Sequence, residues 1–326
     1  MVRRPTQTDI AQKVGVSRGL VSLALSGSPG VGEDTREKIL TAAAELGYIR
    51  NLNAAALAGQ FRSTLGVVLP DLRNPFFESL VAQLQVFGSE VGLLPLLVTT
   101  QDDPATERQV MRQLLEQQVA GVIFASPVGD AKDLQSYART LPISAIGVEP
   151  VGGFVDTTHI DEDVAARLVF DYLQDQQYER FLHLSIPAGA GDVWVERRRI
   201  ALVQAFATCL VDHVTIEEGV SISGALQKLL DGDKRVAIIA HNDLLAVDVV
   251  SAVRGMGLCP GIDVGIVSYD DTHMAQRPEF SLTSVHQDAG ELVKNAVQMI
   301  QSRRLDIDEA GRDLVVQPTL TIRQSA

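Results

Sequence analysis

Two polar pairs stand close behind apolar runs in the second half of this 326-residue chain: Asn242 and Asp243 after RVAIIA (235–240), and Asp270 and Asp271 after VGIVSY (264–269). Runs apolar on both faces read as buried strands of a parallel sheet, so both pairs fall at strand carboxyl ends, where open α/β sheets bind ligands. A carboxylate and an amide there, facing a guanidinium across a cleft, suit directional hydrogen bonds to polyols. Nearer the start, DLRNPFF (71–77) follows the run LGVVLP (65–70) and offers hydrogen bonds from Asp71 and Asn74 and an apolar face from Phe76. The other reading of that segment is a helix cap with core aromatics, the reading preferred for Phe77. WVERRRIA (194–201) contributes Trp194, the single tryptophan, and three adjacent arginines that serve either a ligand or a solvated helix face.

Catalytic chemistry finds no comparable support. The spacing G-x-S-x-G does occur, at Gly15-Val16-Ser17-Arg18-Gly19. A hydrolase elbow needs a strand before its serine, and here a helical pattern precedes it in a segment too small to hold a triad. There is no P-loop, no G-x-G-x-x-G after a strand and no H-E-x-x-H, and the six histidines are scattered. No enzyme, cofactor or metal ion is therefore expected. Cys209 and Cys259 lack metal or redox spacing and read as buried free thiols.

The elements that must carry these residues come in two styles. In the first fifty residues Thr6 and Asp9 have the spacing of a capping box, Ile10, Ala11 and Val14 share a helix face, and Gly15 can leave the helix with positive φ. Ser17 caps a second helix with the stripe Leu20, Val21, Ala24 and Leu25, and a third runs from about Glu33 to Leu46, with Gly47 as its stop. This is helix-turn-helix spacing. From Leu65 onward, the short apolar runs 65–70, 93–98, 120–125, 142–148, 181–186, 235–240 and 264–270 alternate with amphipathic stretches such as SLVAQLQVFGSEVG (79–92). The pattern runs twice, with a break near 160, which predicts two doubly wound lobes and a cleft between them.

Charge divides the chain the same way. The whole carries −13, yet residues 1–62 hold eight Lys or Arg against five Asp or Glu, a net +3, which leaves −16 on the body. An acidic body repels phosphate, so DNA contact is confined to the basic start and weakens steeply with salt. The first residues lack an apolar signal core, and no run approaches the ~20 apolar residues that span a bilayer. A cytoplasmic protein without membrane contact is expected.

The run T-x-x-D-I-A-x-x-V-G-V-S (6–17), then V-S (21–22), T-R-E-K-I (35–39), A-x-x-L-G-Y (43–48) and N-x-x-A-x-x-L-A (51–58), all without gaps, resembles the lactose-repressor/galactose-repressor family of bacterial transcription regulators. The resemblance implies a second helix in the major groove, with Arg18, Gly19 and Ser22 facing base edges and Thr6, Ser17 and Leu23 among the DNA-contacting positions. Arg18 can pair with guanine O6 and N7 or clamp a phosphate; Leu23, where many members carry arginine, offers only apolar contact. It also implies a hinge helix over 51–59 that is marginal alone, folds on DNA and places Asn51, Ala54 and Leu57 at the minor groove, Leu57 as a wedge. Arg50 stands where the family usually has proline.

In the body the resemblance implies a core related to periplasmic sugar-binding proteins. It selects Arg198 among the three arginines as the ligand contact, with Ala201 in place of the usual glycine and Trp194 as a stacking plate beside it. It assigns ligand bonds to Asn242 and Asp270, lets His241 line the cleft, and notes Gly147 where many members have an aspartate. The expected fold is thus a small all-α helix-turn-helix head (1–49), a hinge helix and linker (50–62) and an α/β core of two doubly wound parallel-sheet lobes. Lobe one spans about 63–161 and 290–319, lobe two about 162–289 and 320–326. The expected function is a homodimeric regulator, a repressor, that binds a pseudo-palindromic double-stranded operator under control of a small sugar-like effector. The rivals are an exported solute-binding protein and an enzyme of the same core fold. No terminal heptads suggest a coiled-coil tetramer.

Overall fold

The computed structural model describes residues 5–49, 62–187, 193–207, 209, 211–216, 222–230 and 234–326. The chain forms two compact units, Met1–Arg62 and Ser63–Ala326.

In the first unit, α1 (Gln7–Val14) starts at Thr6, whose backbone N–H donates to Asp9 Oδ2 at 2.7 Å while its Oγ1 accepts from Asp9 N at 3.4 Å. Gly15, at φ 75°, ends the helix in a conformation that costs a larger residue strain. Ser17 Oγ accepts from Leu20 N at 3.1 Å and so caps α2 (Arg18–Leu25). No side chain caps α3 (Glu33–Glu45), where Glu33 and Asp34 sit in the first turn against the helix dipole. Ile10, Val21 and Ile39 are fully buried among Ala11, Ala24, Ala42 and Ala43, one small core for three helices. Arg36 joins α3 to the end of α2, donating to Ala24 O at 2.8 Å and Ser28 O at 2.6 Å. A cation there satisfies carbonyls that the helix leaves open.

The second unit begins with β1 (Thr64–Leu69), α4 (Pro75–Glu90), β2 (Leu94–Thr99), α5 (Pro104–Glu116), β3 (Gly121–Ala125), α6 (Ala131–Ala138), β4 (Ile143–Ile146) and β5 (Asp156–Ile160). It continues with α7 (Glu162–Asp175), β6 (Arg180–Ser185), α8 (Val193–Ala205), β7 (Val211–Thr215), α9 (Ile222–Leu229), β8 (Val236–Ala240), α10 (Asp243–Gly255), β9 (Val264–Asp270) and β10 (Thr283–His286). It closes with α11 (Ala289–Arg303), β11 (Asp313–Val316) and β12 (Thr319–Thr321). One sheet has the order β11-β5-β4-β3-β1-β2 and is parallel throughout. The other runs β12-β10-β9-β8-β6-β7, parallel except for β12 against β10. Each sheet is covered on both faces by apolar clusters, α4 and α11 lying over one face of the first and α7 and α8 over one face of the second. The chain passes between the lobes after β5, after β10 and after β11, so three short segments join them.

The seven strands read from apolar runs are present within a residue or two at their ends. β5 and β10 have no such signal because their polar side chains are buried against distant partners, and β7, β11 and β12 have none because they are edge strands whose described side chains are mostly exposed or half-buried. In β5, Thr158 Oγ1 donates to Leu314 O at 2.8 Å; in β10, Ser284 Oγ donates to Asp243 at 2.8 Å. The cysteines correct the expectation of two buried thiols: Cys209 is half-buried and Cys259 exposed. Cys259 lies in the turn behind α10, its N–H donating to Asp263 Oδ2 at 2.7 Å, and a turn of that kind stays at the surface.

Candidate functional site

The head presents one face of α2. Val21 and Ala24 point into the core while Arg18, Gly19 and Leu23 are exposed and Ser22 is half-buried, as 100° steps around a helix require. Ser17 uses an acceptor lone pair on the cap and keeps its hydroxyl proton for another partner. Its cap geometry, on a helix rather than after a strand, removes the reading of G-x-S-x-G as a nucleophile elbow. Thr6 is engaged with Asp9. Asn51, Ala54 and Leu57, with the rest of the expected hinge helix, lie outside the described residues.

In the body, a cavity of about 240 Å³ lies between the lobes, with Asn74, Phe76, Ser126, Gly147 and Glu149 on one side and Glu162, Arg197, Arg198, Asn242 and Asp270 on the other. Asn74 caps α4 through Oδ1, which accepts from Phe76 N at 3.0 Å, and its Nδ2 reaches across to Asp270 Oδ2, also at 3.0 Å. Gln287, in the segment between β10 and α11, donates to the other oxygen of Asp270 at 2.6 Å. Asp270 ends β9 with φ 102°, a strained backbone held by these bonds. Behind it Asp243 is fully buried and takes donors from Ser268, Ser284 and both the N–H and the hydroxyl of Thr272, tying together the ends of β9 and β10. Burial, and then the Asp243 carboxylate, push the Asp270 carboxyl up to about 7, against the pull of Arg198.

That shift gives a pH dependence of known sign. A carboxyl whose folded value lies above its unfolded one makes the native state bind more protons, so stability falls as pH rises from about 4 to about 7. Asp270→Asn is expected to flatten this slope, the variant's melting temperature gaining on wild type between pH 5 and pH 8. A constant difference across that range would mean that Asp270 does not titrate there and would overturn the raised value.

Asn242 caps α10 through Oδ1, accepting from Leu245 N at 2.9 Å, while its amide lines the cavity. His241 lines it too, and burial, then Arg198 and His183, hold its imidazole well below the ordinary range and therefore neutral. Gly147 adopts φ 83°, which suits glycine and leaves no side chain on that wall.

The three arginines of α8 part company because successive helix positions face different ways. Arg199 points outward and pairs with Glu196. Arg198 is 3% exposed, lies 4.0 Å over the Tyr269 ring, donates through Nε and Nη2 to Glu162 at 2.8–3.2 Å and through Nη1 to His241 O at 2.7 Å. Burial opposes its charge, and Glu162 more than offsets the opposition, raising its pKa. Arg197 links the lobes, with Asp163 of α7 at 2.7 and 3.0 Å and Glu149, beyond β4 in the other lobe, at 2.5 Å.

Five of the expected ligand residues, Asn74, Phe76, Arg198, Asn242 and Asp270, thus border one cavity. Asp71 does not: its carboxylate turns into its own loop and accepts from Arg73 N at 2.8 Å and Arg73 Nε at 2.6 Å. A short acid two residues before an arginine closes that ring at little entropic cost, a local alternative that strand-end position could not reveal. Trp194 belongs to α8, but its side chain is outside the described residues. Sequence reading missed Glu149, Glu162, Arg197 and Gln287. Glu162 carried only the ordinary signature of an acid in a first helical turn, and Gln287 carried none. Among the described residues no cluster of His, Cys, Asp and Glu could hold a metal ion, and no helix is long and apolar enough to cross a membrane.

A helix-turn-helix unit on the same chain as a two-lobed parallel-sheet body with a polar interlobe cavity defines the class of ligand-responsive DNA-binding regulators. Residues 6–51 match the family described as bacterial regulatory proteins, lacI family, and residues 170–326 match the periplasmic binding protein-like domain. The HTH-type transcriptional regulator DegA of Bacillus subtilis is 26% identical, over 99% of this chain and 98% of its own. The HTH-type transcriptional repressor PurR of Photobacterium profundum is 25% identical, over 98% of both. Among solved structures, the lac repressor dimer bound to operator and the anti-inducer ONPF superposes with a TM-score of 0.85, at 22% identity and 99% coverage of each chain. The transcriptional regulator CelR in complex with cellobiose gives a TM-score of 0.69 at 25% identity, over 99% of this chain and 100% of its own. The chain belongs to the lacI family of bacterial regulatory proteins. It is a transcriptional regulator and not an enzyme.

Proposed function

We propose that the protein is a homodimeric repressor that acts in the cytoplasm, reads a pseudo-palindromic operator with α2 of each head, and changes its DNA affinity when a small polar, sugar-like effector binds between the lobes. The observation that carries this reading is the Asn74–Asp270 hydrogen bond across the cavity, since a ligand competing for those two groups acts on both lobes at once. Three connecting segments let the lobes move as units, and effector and DNA are then linked by one reciprocal coupling free energy. CelR with cellobiose and the operator-bound lac repressor are precedents for the two ligands. A second copy suits the edge strand β2, where Leu94, Leu96 and Leu97 are 64%, 40% and 39% exposed beside Val86 and Val91 on and after α4. Apolar side chains grouped along an open sheet edge ask for a partner.

Mobility shift on genomic fragments, followed by a thermal-shift screen of metabolites on the purified protein, tests the reading. A site-specific complex that a stabilising metabolite dissolves or tightens is expected; absence of any site-specific complex ends it. Within it, Arg18→Ala is expected to cost about 1–3 kcal/mol of operator affinity and to relax discrimination at one base pair per half-site. Equal weakening on every sequence would make Arg18 a phosphate contact instead.

A further inference from the structure

The cations of the interlobe cavity are already taken. Among the described lining residues, the fixed positive charges are Arg197 and Arg198, against the carboxylates of Glu149, Asp161, Glu162 and Asp163, with the Asp270 carboxyl only partly ionised near pH 7. Arg197 commits Nε, Nη1 and Nη2 to Glu149 and Asp163. Arg198 commits Nε and Nη2 to Glu162 and Nη1 to a carbonyl. Asp270, 6% exposed, receives amide donors rather than a guanidinium. The start of α7, whose open N–H groups could attract an anion, is filled from within: Asp161 Oδ1 accepts from Asp163 N and Val164 N, both at 3.0 Å.

An entering phosphate or carboxylate would have to share a guanidinium with the carboxylate that already neutralises it and then sit beside the others. The repulsion is least screened at Glu162, 12% exposed, and weaker at the half-exposed Glu149 and Asp163. Hydroxyl groups meet no such penalty, because Asp270 and Glu149 can accept from them and the Asn242 amide can donate to them. A protonated amine gains from the excess of acid.

We propose that the cavity selects against anions, and that its effector is an uncharged or positively charged polyhydroxylated molecule. The inference rests on reading the cavity as the effector site. It excludes phosphorylated and carboxylated metabolites as a class, and it assigns the exclusion to the pairing of Arg197 with Glu149 and Asp163.

The direct test uses inorganic phosphate on the full chain at constant ionic strength, with chloride as the control. Glu149 and Asp163 are half-exposed, so the Glu149→Gln/Asp163→Asn double variant should fold and leave Arg197 unpaired. Calorimetry is expected to show phosphate binding at least tenfold tighter in the double variant than in wild type, with a matching gain in melting temperature. Phosphate contacts elsewhere on the protein are common to both and cancel in the comparison. An equal response of the two proteins overturns the proposal. Pairs of sugars sharing one skeleton, with and without a phosphate, supply a measurement on wild type alone. A phosphorylated member that binds, and loses binding on Asn242→Ala, overturns it as well. Operator mobility is a separate readout: an uncharged ligand that binds the cavity without altering the DNA complex ends the proposed function and leaves the charge selection intact.

Discussion

Arg198→Ala is expected to destabilise the protein by about 3–5 kcal/mol, an effect on folding as well as on the effector. The guanidinium is buried, and its removal strands the Glu162 carboxylate, only 12% exposed, and the His241 carbonyl that it now satisfies. Breaking a buried pair by deleting one partner leaves an uncompensated charge, and that accounts for a loss of this size. The stacking on Tyr269 is lost with it. The double variant Arg198→Ala/Glu162→Ala should recover part of the loss, because the stranded charge is then gone as well. Denaturant unfolding of the two single variants and the double gives the coupling directly. A single Arg198→Ala protein with the wild-type midpoint and no effector binding would make Arg198 a ligand contact alone, as the family register implies, and would remove its part in holding α8 to α7.

The second large effect is expected at Arg303, which does not line the cavity and is fully buried. Its Nε and Nη2 grip Asp156 of β5 at 2.8 and 2.7 Å, and its remaining N–H groups cap the carbonyls of Glu309, Ala310 and Ile307 at 2.7, 3.2 and 3.3 Å. One side chain thus fastens the end of α11 to the sheet and to the turn that leads into β11. Arg312 binds the same carboxylate from the other side through Nε and Nη2, so Asp156 does not lose every partner with Arg303. Burial disfavours the Asp156 charge, yet its two arginines hold the carboxyl below the usual range. Arg303→Ala is expected to cost about 3–5 kcal/mol, and Arg303→Lys to recover little, since an ammonium cannot make the forked bond. Thermal unfolding checks both variants; a lysine variant with wild-type stability would mean that charge alone, and not the fork, matters here.

The head is almost wholly legible in the amino-acid sequence. Thr6 with Asp9, Ser17 with Leu20, the stripe through Ile10, Val21 and Ile39 and the αL glycines at 15 and 47 mark their elements through neighbours a few residues away. Local spacing is what a sequence displays. The apolar strands of the body are legible for a related reason, since burial on both faces leaves an unbroken apolar run. Asn74, Asn242 and Asp270 could be picked out because strand ends and helix caps are marked in the chain.

Sequence alone therefore determined the two styles of folding unit, the seven apolar strands, the family and the neighbourhood of the cavity. Tertiary structure alone decided which arginine does what, that Asp71 turns away, that Glu149, Glu162 and Gln287 join the cavity, and that the strands DTTHI (156–160) and TSVH (283–286) are buried at all. The reason is the same in each case. A charged or polar side chain enters a core or a cleft only when a partner satisfies it, and those partners lie far along the chain: Glu162 stands 36 residues from Arg198, Arg303 stands 147 from Asp156, and Asn74 stands 196 from Asp270. Hydropathy and spacing record what a residue prefers by itself, whereas the pairing that makes its burial possible exists only once the lobes have folded.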